Sequence, residues 1–421
     1  MGNNMRILWL APYVPIPIAG GPTRSFNTIM LLAPTCDIDL IARGDIPPQA
    51  DEWLARLRAA CRTVQIVPGP VSSRTHKRIE QLRALADRRP AQYWLYYSAL
   101  MQDRIKQAFG ARRYDAVILE HSFMGYYALP AGIPTALVQH NVESDLLRRS
   151  SRQERSALRR AYNWLEYVKY RADEQQICRS ASLIMSVSEC DRRAMQSWDG
   201  LPPCVVIPNG VDTAYFTPDV RMPAAQQSAG VVFTGTMNYS PNVEAMLYFA
   251  DKIWPLIHTQ VPGATLSIVG HAPPREILQL GQLPKVTVTG SVPDVRPYLG
   301  TAQVVVVPLR IGSGTRLKIL EALAMGRAVV STSLGSEGLE IQEGRHLLVA
   351  DEPAAFAARV TELLGDPARR AELGREGRRL VEETYDWRVI GLRLEAALRE
   401  LVARGTPAVS GFAVVQPSMK G

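Results

Sequence analysis

Short apolar runs rich in valine, isoleucine and leucine alternate along this chain with stretches whose apolar residues recur at helical spacing. That alternation restricts the fold more than any other feature. The run Val304–Val307 shows the pattern. It ends in Pro308, passes Gly312-Ser313-Gly314, and leads into Leu317, Leu320, Ala324 and Met325 at helical intervals. Gly326 is a helix stop, and a second β-type run follows at 328–330. Strand, glycine-rich turn, helix, strand is a βαβ unit, and its turn lies where such units hold anions.

The first series of strands is expected at 7–10, 38–42, 64–67, 116–119, 135–138, 183–187 and 205–207, with helical patterns between, notably 25–32, 52–60 and 144–177. A turn-rich segment at 208–219 and a polar stretch at 223–230 interrupt it. A second series follows at 231–233, 265–269, 286–289, 304–307, 328–331 and 347–349. Helix-separated short strands imply right-handed crossovers and parallel sheets. The fold class expected is therefore α/β, with two doubly wound, Rossmann-like domains facing each other across a cleft. Residues 1–210 form the first and 211–386 the second. Helical patterns at 353–364, 367–384 and 387–402 close the chain. The helix near 387–403 is expected to pack back on the first domain, and 405–421 to be a loose tail.

At 421 residues, each domain is large enough to bury a core. Five cysteines, widely spaced and without a CxxC, argue against a disulfide framework or a zinc site and favour a reducing, cytoplasmic compartment. No run reaches the roughly 18–20 apolar residues that span a bilayer, and Pro12, Pro15 and Pro17 break the apolar start into a strand and a loop, against a cleaved leader. Charge is uneven. Residues 1–215 hold 27 Lys and Arg against 20 Asp and Glu, whereas 216–421 hold 21 against 20. An anionic surface or ligand would meet the first half.

Arg316 and Lys318 lie at the helix start that follows the glycine-rich turn, and Glu321 lies within its first turns. Free backbone N–H groups, the helix dipole and two cations favour a diphosphate. A carboxylate one turn on suits ribose hydroxyls. Spacing alone leaves an ordinary strand-to-helix turn with solvated charges as an equal reading.

The segments "AGGPTRS", "LEHS", "VIPNGVDTAYFTP", "VVFTGTMNYSPNVEAMLYF" and "GSGTRLKILEALAMGRAVVSTSLGSEGLE" weigh against that plainer reading. Together they resemble the retaining glycosyltransferases of GT-B fold called family 4, or glycosyltransferase group 1, over nearly the whole chain. "GTMNYxPN" together with "GxGTRLK" looks like a branch of that family found among bacterial polysaccharide-assembly transferases. The resemblance implies transfer of a sugar, with retention, from a nucleotide diphosphate-sugar to a glycan or lipid-linked acceptor. It implies no metal and no further cofactor. Glu321 matches the family's ribose-binding glutamate, while Ser313 stands where relatives carry another glutamate eight positions earlier. Many relatives also carry a cation pair after the first strand of the second domain. None stands in 235–242 here, so Arg316 and Lys318 are expected to supply that charge.

The donor side is expected to comprise Gly235, Asn238, Ser313, Gly314, Thr315, Leu317 and Glu321. Gly20 and Gly21 are expected in a loop after the first strand, with Thr23 and Arg24 opening the next helix and holding an acceptor anion. His121 matches the family's cleft histidine and is placed with Arg316 and Lys318 in catalysis. Gln139, His140 and Asn141 end the next strand on the same edge, with Asn141 on the acceptor side. Arg148, Arg152, Arg155 and Arg159 fall at steps of four, three and four on one expected helix, a face for anionic lipid at the inner side of the cytoplasmic membrane. No basic–aromatic platform for nucleic acid is present. The alternatives are a nucleotide-sugar epimerase or phosphorylase of the same fold, or a partner protein without catalysis.

Overall fold

The computed structural model describes residues 4–17, 20–47, 50–69, 74–154, 156–219, 230–312 and 316–405. The chain divides into two compact units. One is Met1–Pro208 together with the chain from Gly391, and the other is Asn209–Ile390.

The first unit is built on seven strands: β1 (Met5–Ala11), β2 (Cys36–Arg43), β3 (Thr63–Val67), β4 (Ala116–Glu120), β5 (Thr135–Gln139), β6 (Leu183–Ser186) and β7 (Cys204–Val206). Their order is β3-β2-β1-β4-β5-β6-β7, and neighbours pair in parallel. Ile7 sits opposite Ile38 on one side and Ala116 on the other. Helices cover both faces, so both faces of β1 are buried. Ile7, Leu8, Trp9 and Leu10 are all at most 1% exposed, as a doubly covered parallel sheet requires. Strand order reverses between β1 and β4, and open α/β sheets bind ligands at the carboxyl ends beside such a reversal.

The second unit repeats the plan with β8 (Val231–Thr234), β9 (Leu266–Val269), β10 (Val286–Gly290), β11 (Val304–Val307), β12 (Ala328–Ser331) and β13 (Leu348–Val349), in the order β10-β9-β8-β11-β12-β13. Here the all-valine run explains itself. Val304 and Val306 join one buried cluster, Val305 and Val307 another on the opposite face, and β-branched residues suit both. The reversal falls between β8 and β11.

Two expectations are corrected. Gly20 and Gly21 are not a loop, because the helix Gly20–Leu32 already begins with them. Pro22 is tolerated there since first-turn N–H groups have no intrahelical acceptor. The helix expected over 144–177 is two, Glu143–Gln153 and Ala157–Ser180, which pack against each other. Glu154 and Ser156 are extended, and the Ser156 N–H donates to the Glu154 carboxylate at 2.9 Å. No glycine or proline marks that break, so periodicity does not reveal it. Of the four arginines on the expected face, Arg155 lies outside the described residues.

The last helix, Trp387–Arg404, belongs to the first unit from Gly391 onward. A Cβ on Gly391 would stand 3.2 Å from Leu31, so this helix lies tightly on Gly20–Leu32. Residues 406–421, most of the expected tail, lie outside the described residues.

Candidate functional site

Two clusters of polar side chains stand at the two strand-order reversals. In the second unit, β8 runs out at Thr234 and β11 at Val307, and the helix Leu317–Ala324 begins beyond β11 with Arg316 as its N-cap residue. Lys318 does not point along its own helix into water. Its Nζ donates to Oδ1 of Asn242 at 2.8 Å and lies 3.9 Å from the centre of the Phe233 ring, on β8. Asn242 is fixed in turn, its Nδ2 donating to the carbonyl of Thr236 at 2.8 Å. A Cβ on Gly235 would come within 2.7 Å of Nζ and 2.9 Å of Asn242, so glycine there makes room for both. Lys318 thus brings a cation from the helix after β11 to the segment 235–242, which holds no Lys or Arg of its own.

Burial dominates the electrostatics. It lowers the Lys318 ammonium to about 7, with Arg316 pushing the same way and Glu321 opposing. It raises the Glu321 carboxyl to about 7 against the pull of Lys318. Arg316 is 6% exposed and lowered by burial. Arg310, the neighbouring cation, is engaged elsewhere: its guanidinium pairs with Glu244 and stacks 3.7 Å over Tyr248. Two desolvated cations beside a helix start can neutralise an anion far more strongly than solvated ones.

Of the expected donor residues, Gly235, Arg316, Lys318 and Glu321 come together on these elements. Asn238 is exposed in the turn after β8, and Asn242 occupies the buried position instead. Leu317 packs against the apolar cluster on that face of the sheet. Ser313, Gly314 and Thr315 lie outside the described residues.

In the first unit, β4 ends at Glu120 and the next residue, His121, has φ 69° and ψ 150°. Only glycine adopts that region at ease, and a side chain there costs of order 1–3 kcal/mol. The His121 ring stacks on His140 with centroids 4.1 Å apart and 10° between planes. Nε2 of His140 is 2.5 Å from Oε1 of Glu120, which is 1% exposed. The Tyr13 hydroxyl reaches Ser25 at 3.0 Å and both Glu120 and His140 at 3.5 Å. A Cβ on Gly21 would lie 3.0 Å from that hydroxyl, which gives this glycine its physical reason. Burial holds His121 well below the ordinary histidine range, with His140 and Arg24 adding to the effect.

Glu143 lies beside the same ring, its Oε1 3.8 Å from Nδ1 of His121. Burial and the neighbouring Glu174 push its carboxyl up to about 7. Glu174 accepts from the backbone N–H of Glu143 at 2.9 Å and of Ser144 at 3.0 Å, capping the helix Glu143–Gln153 from its neighbour. Asn141 stands near, its amide 3.5 Å from Glu143.

Arg24 makes contacts that its position in the sequence does not suggest. Its guanidinium donates to the carbonyls of Pro208 at 2.6 Å and Ile207 at 2.8 Å and is 3% exposed. It holds the end of the first unit's chain through these two carbonyl oxygens. Thr23, Gly20 and Gly21 lie in the first turn of the same helix. Sequence reasoning missed Tyr13, Glu120 and Asn242. Glu120 left one signal, a carboxylate closing an otherwise apolar buried strand. Among the described residues no group of three or more His, Cys, Asp or Glu side chains is placed to hold a metal ion.

The chain matches two family models, Glycosyltransferase Family 4 over residues 31–215 and Glycosyl transferases group 1 over residues 228–366. It is 22% identical over 299 residues to an uncharacterized 44.6 kDa protein of the cps region of Klebsiella pneumoniae, a match covering 68% of this chain and 74% of that one. It is 30% identical over 213 residues to the GDP-mannose-dependent alpha-(1-6)-phosphatidylinositol monomannoside mannosyltransferase of Mycolicibacterium smegmatis, covering 46% of this chain and 55% of the relative. The crystal structure of Anabaena Alr3699/HepE in complex with UDP-glucose superposes with a TM-score of 0.65 at 15% identity, over 94% of this chain and all of that one. Glu120, His121 and His140 thus lie in the stretch matched by one model and Gly235, Asn242, Arg316 and Lys318 in that matched by the other, and the protein is a glycosyltransferase of the GT-B type.

Proposed function

We propose that the protein transfers a sugar, with retention of anomeric configuration, from a nucleoside diphosphate-sugar to a glycan or lipid-linked acceptor during assembly of a surface polysaccharide. The observation that carries this reading is the half-buried Lys318 ammonium, held on Asn242 and Phe233 beside the buried Arg316 and a helix start. Withdrawing cations from water is costly unless an anion compensates them, and a diphosphate is an anion that two cations at a helix start suit. Arg316 and Lys318 take up charge that grows on the departing β-phosphate, and they do so without a metal or other cofactor. Glu321 accepts from the ribose hydroxyls. Retention leaves the acceptor hydroxyl to pass its proton toward the leaving phosphate oxygen, and His121 is the first unit's candidate for holding a sugar hydroxyl.

Names among the relatives support the substrate class. The mycobacterial protein is described as GDP-mannose-dependent and the Anabaena structure holds UDP-glucose. The Klebsiella protein comes from a cps region. A thermal-shift panel of UDP-, GDP- and ADP-sugars tests the reading. One base should stabilise the protein in proportion to the logarithm of ligand concentration, and Glu321→Ala should abolish the shift. No shift with any donor refutes it.

A lipid-linked acceptor calls for a membrane surface, and the reading places the enzyme at the cytoplasmic face. Support comes from two helices that Lys169 joins, its Nζ donating to the carbonyls of Ala84 at 2.6 Å and Asp87 at 2.8 Å. Arg74–Ala86 exposes Ile79, Leu82 and Leu85, and Ala157–Ser180 exposes Leu158, Trp164, Leu165 and Val168. Their exposed charges between 78 and 86 and between 157 and 172 are all arginines, because Glu80 and Glu166 are buried. Apolar side chains ringed by arginine suit an anionic bilayer. The stripe expected from Arg148 to Arg159 does not carry this, since the helix breaks and Arg148 pairs with Asp145. Among the described residues no helix is long and apolar enough to cross a membrane. Flotation with phosphatidylglycerol vesicles at low salt, lost in Leu82→Asp and Leu165→Asp, is the expected result, and flotation unchanged by both substitutions would exclude this surface.

A further inference from the structure

The His121 ring belongs to a near-parallel series. His140 stacks on it at 4.1 Å, Phe123 at 5.3 Å with 14° between planes, and Tyr96 stacks on Phe123 at 4.1 Å with 2°. Stacking fixes the plane of a ring, while a hydrogen bond fixes its rotation within that plane. His140 has both, because Glu120 Oε1 lies 2.5 Å from its Nε2, and the Tyr13 hydroxyl stands 3.5 Å from each.

Consecutive residues of a strand send their side chains to opposite faces. Glu120 and His121 are consecutive, yet both meet His140. The positive φ at His121 is what turns its side chain round to the ring that Glu120 already grips. A histidine that merely filled space would need neither the unfavourable backbone nor the carboxylate behind its neighbour.

We propose that Glu120 and His140 form a positioning pair for His121, Glu120 setting the rotation of the His140 ring and that ring setting the plane of the imidazole that meets a sugar hydroxyl. The role given to the sugar hydroxyl rests on the transfer reading above, whereas the pairing itself does not. The titratable and charged groups around His121 are Tyr13, Arg24, His140 and Glu143, with Glu120 behind His140 and Glu174 behind Glu143. Burial, His140 and Arg24 keep the imidazole neutral, so one ring nitrogen donates and the other accepts. A neutral, oriented imidazole can hold a hydroxyl without competing for its proton.

The test is histidine-selective nitrogen NMR of the full chain, with His121 assigned through His121→Asn. In the wild type its ring should stay neutral well below pH 6.5. In His140→Gln the midpoint should climb toward the ordinary value of about 6.5, and Glu120→Gln should shift it and broaden the ring signals. His140→Phe, which keeps a flat ring but no bond to Glu120, gives a further variant if the glutamine form does not fold. Turnover is read as nucleoside diphosphate release from UDP-glucose and GDP-mannose, with water taking the sugar in the absence of the acceptor. In His140→Gln, kcat should fall about tenfold or more with donor KM within about twofold, and the acid limb should move to higher pH. A His121 midpoint identical in wild type, His140→Gln and Glu120→Gln overturns the proposal. A wild type that turns over neither donor while its His121 midpoint moves as expected counts against the transfer reading and leaves the pairing supported.

Discussion

Lys318 and Asn242 lie far apart in sequence and meet through one hydrogen bond of 2.8 Å, from Nζ to Oδ1. The asparagine is itself anchored to the Thr236 carbonyl, so the cation is aimed by the turn after β8 while it is carried by the helix after β11. This division of labour makes Asn242 a positioning residue for whatever anion Lys318 meets.

Asn242→Ala is therefore expected to weaken binding of the cognate nucleoside diphosphate by about tenfold or more, the equivalent of a charge-assisted hydrogen bond worth about 1.5–3 kcal/mol. The nucleoside alone should bind as before. Calorimetric titration of both ligands into the wild type and the variant makes the comparison, and equal losses for the two would show that Asn242 supports the base or ribose instead.

Burial pulls the Lys318 ammonium down to about 7 when no ligand is bound. A bound diphosphate favours the charged form and raises that value. Binding then takes up protons between the free and bound values, and affinity is greatest below about pH 7 and declines above it. Titrations at pH 8 in buffers of different ionisation enthalpy should report proton uptake, which Lys318→Met removes.

At position 121 the usual order of stability should invert. Glycine adopts φ 69° at ease and alanine does not, so His121→Gly should melt above His121→Ala by the equivalent of about 1 kcal/mol. Both should lose activity. Alanine more stable than glycine in denaturant melts would mean that the backbone relaxes once the ring is gone.

The fold was legible because its signal is periodic. Apolar runs such as Val304–Val307 and 116–119 appear as β11 and within β4, and the parallel order follows from the helices between them. The break after Gln153 was not legible, since Glu154 and Ser156 interrupt the helix through a local carboxylate contact that no glycine or proline announces.

The site was legible where charge and glycine mark a helix start, as at Arg316, Lys318 and Glu321. It was opaque where long-range pairing creates it. Glu120 and His140 are twenty residues apart, and they meet because Glu120 sits opposite Val138 in the β4–β5 register, which leaves His140 just beyond the strand end. Asn238 and Asn242 look alike in sequence. Only the helix that begins at Ser240 turns the second inward. Arg24 meets the Ile207 and Pro208 carbonyls, a contact equally hidden in the sequence.

The central claim is that Lys318 and Arg316 hold the diphosphate of an activated sugar. A crystal structure of the protein with its stabilising nucleotide-sugar tests this most directly. The account predicts β-phosphate oxygens at about 3 Å from Nζ of Lys318 and from the Arg316 guanidinium, with the ribose hydroxyls on Glu321. Phosphates bound elsewhere, with Lys318 still directed only at Asn242, would contradict it.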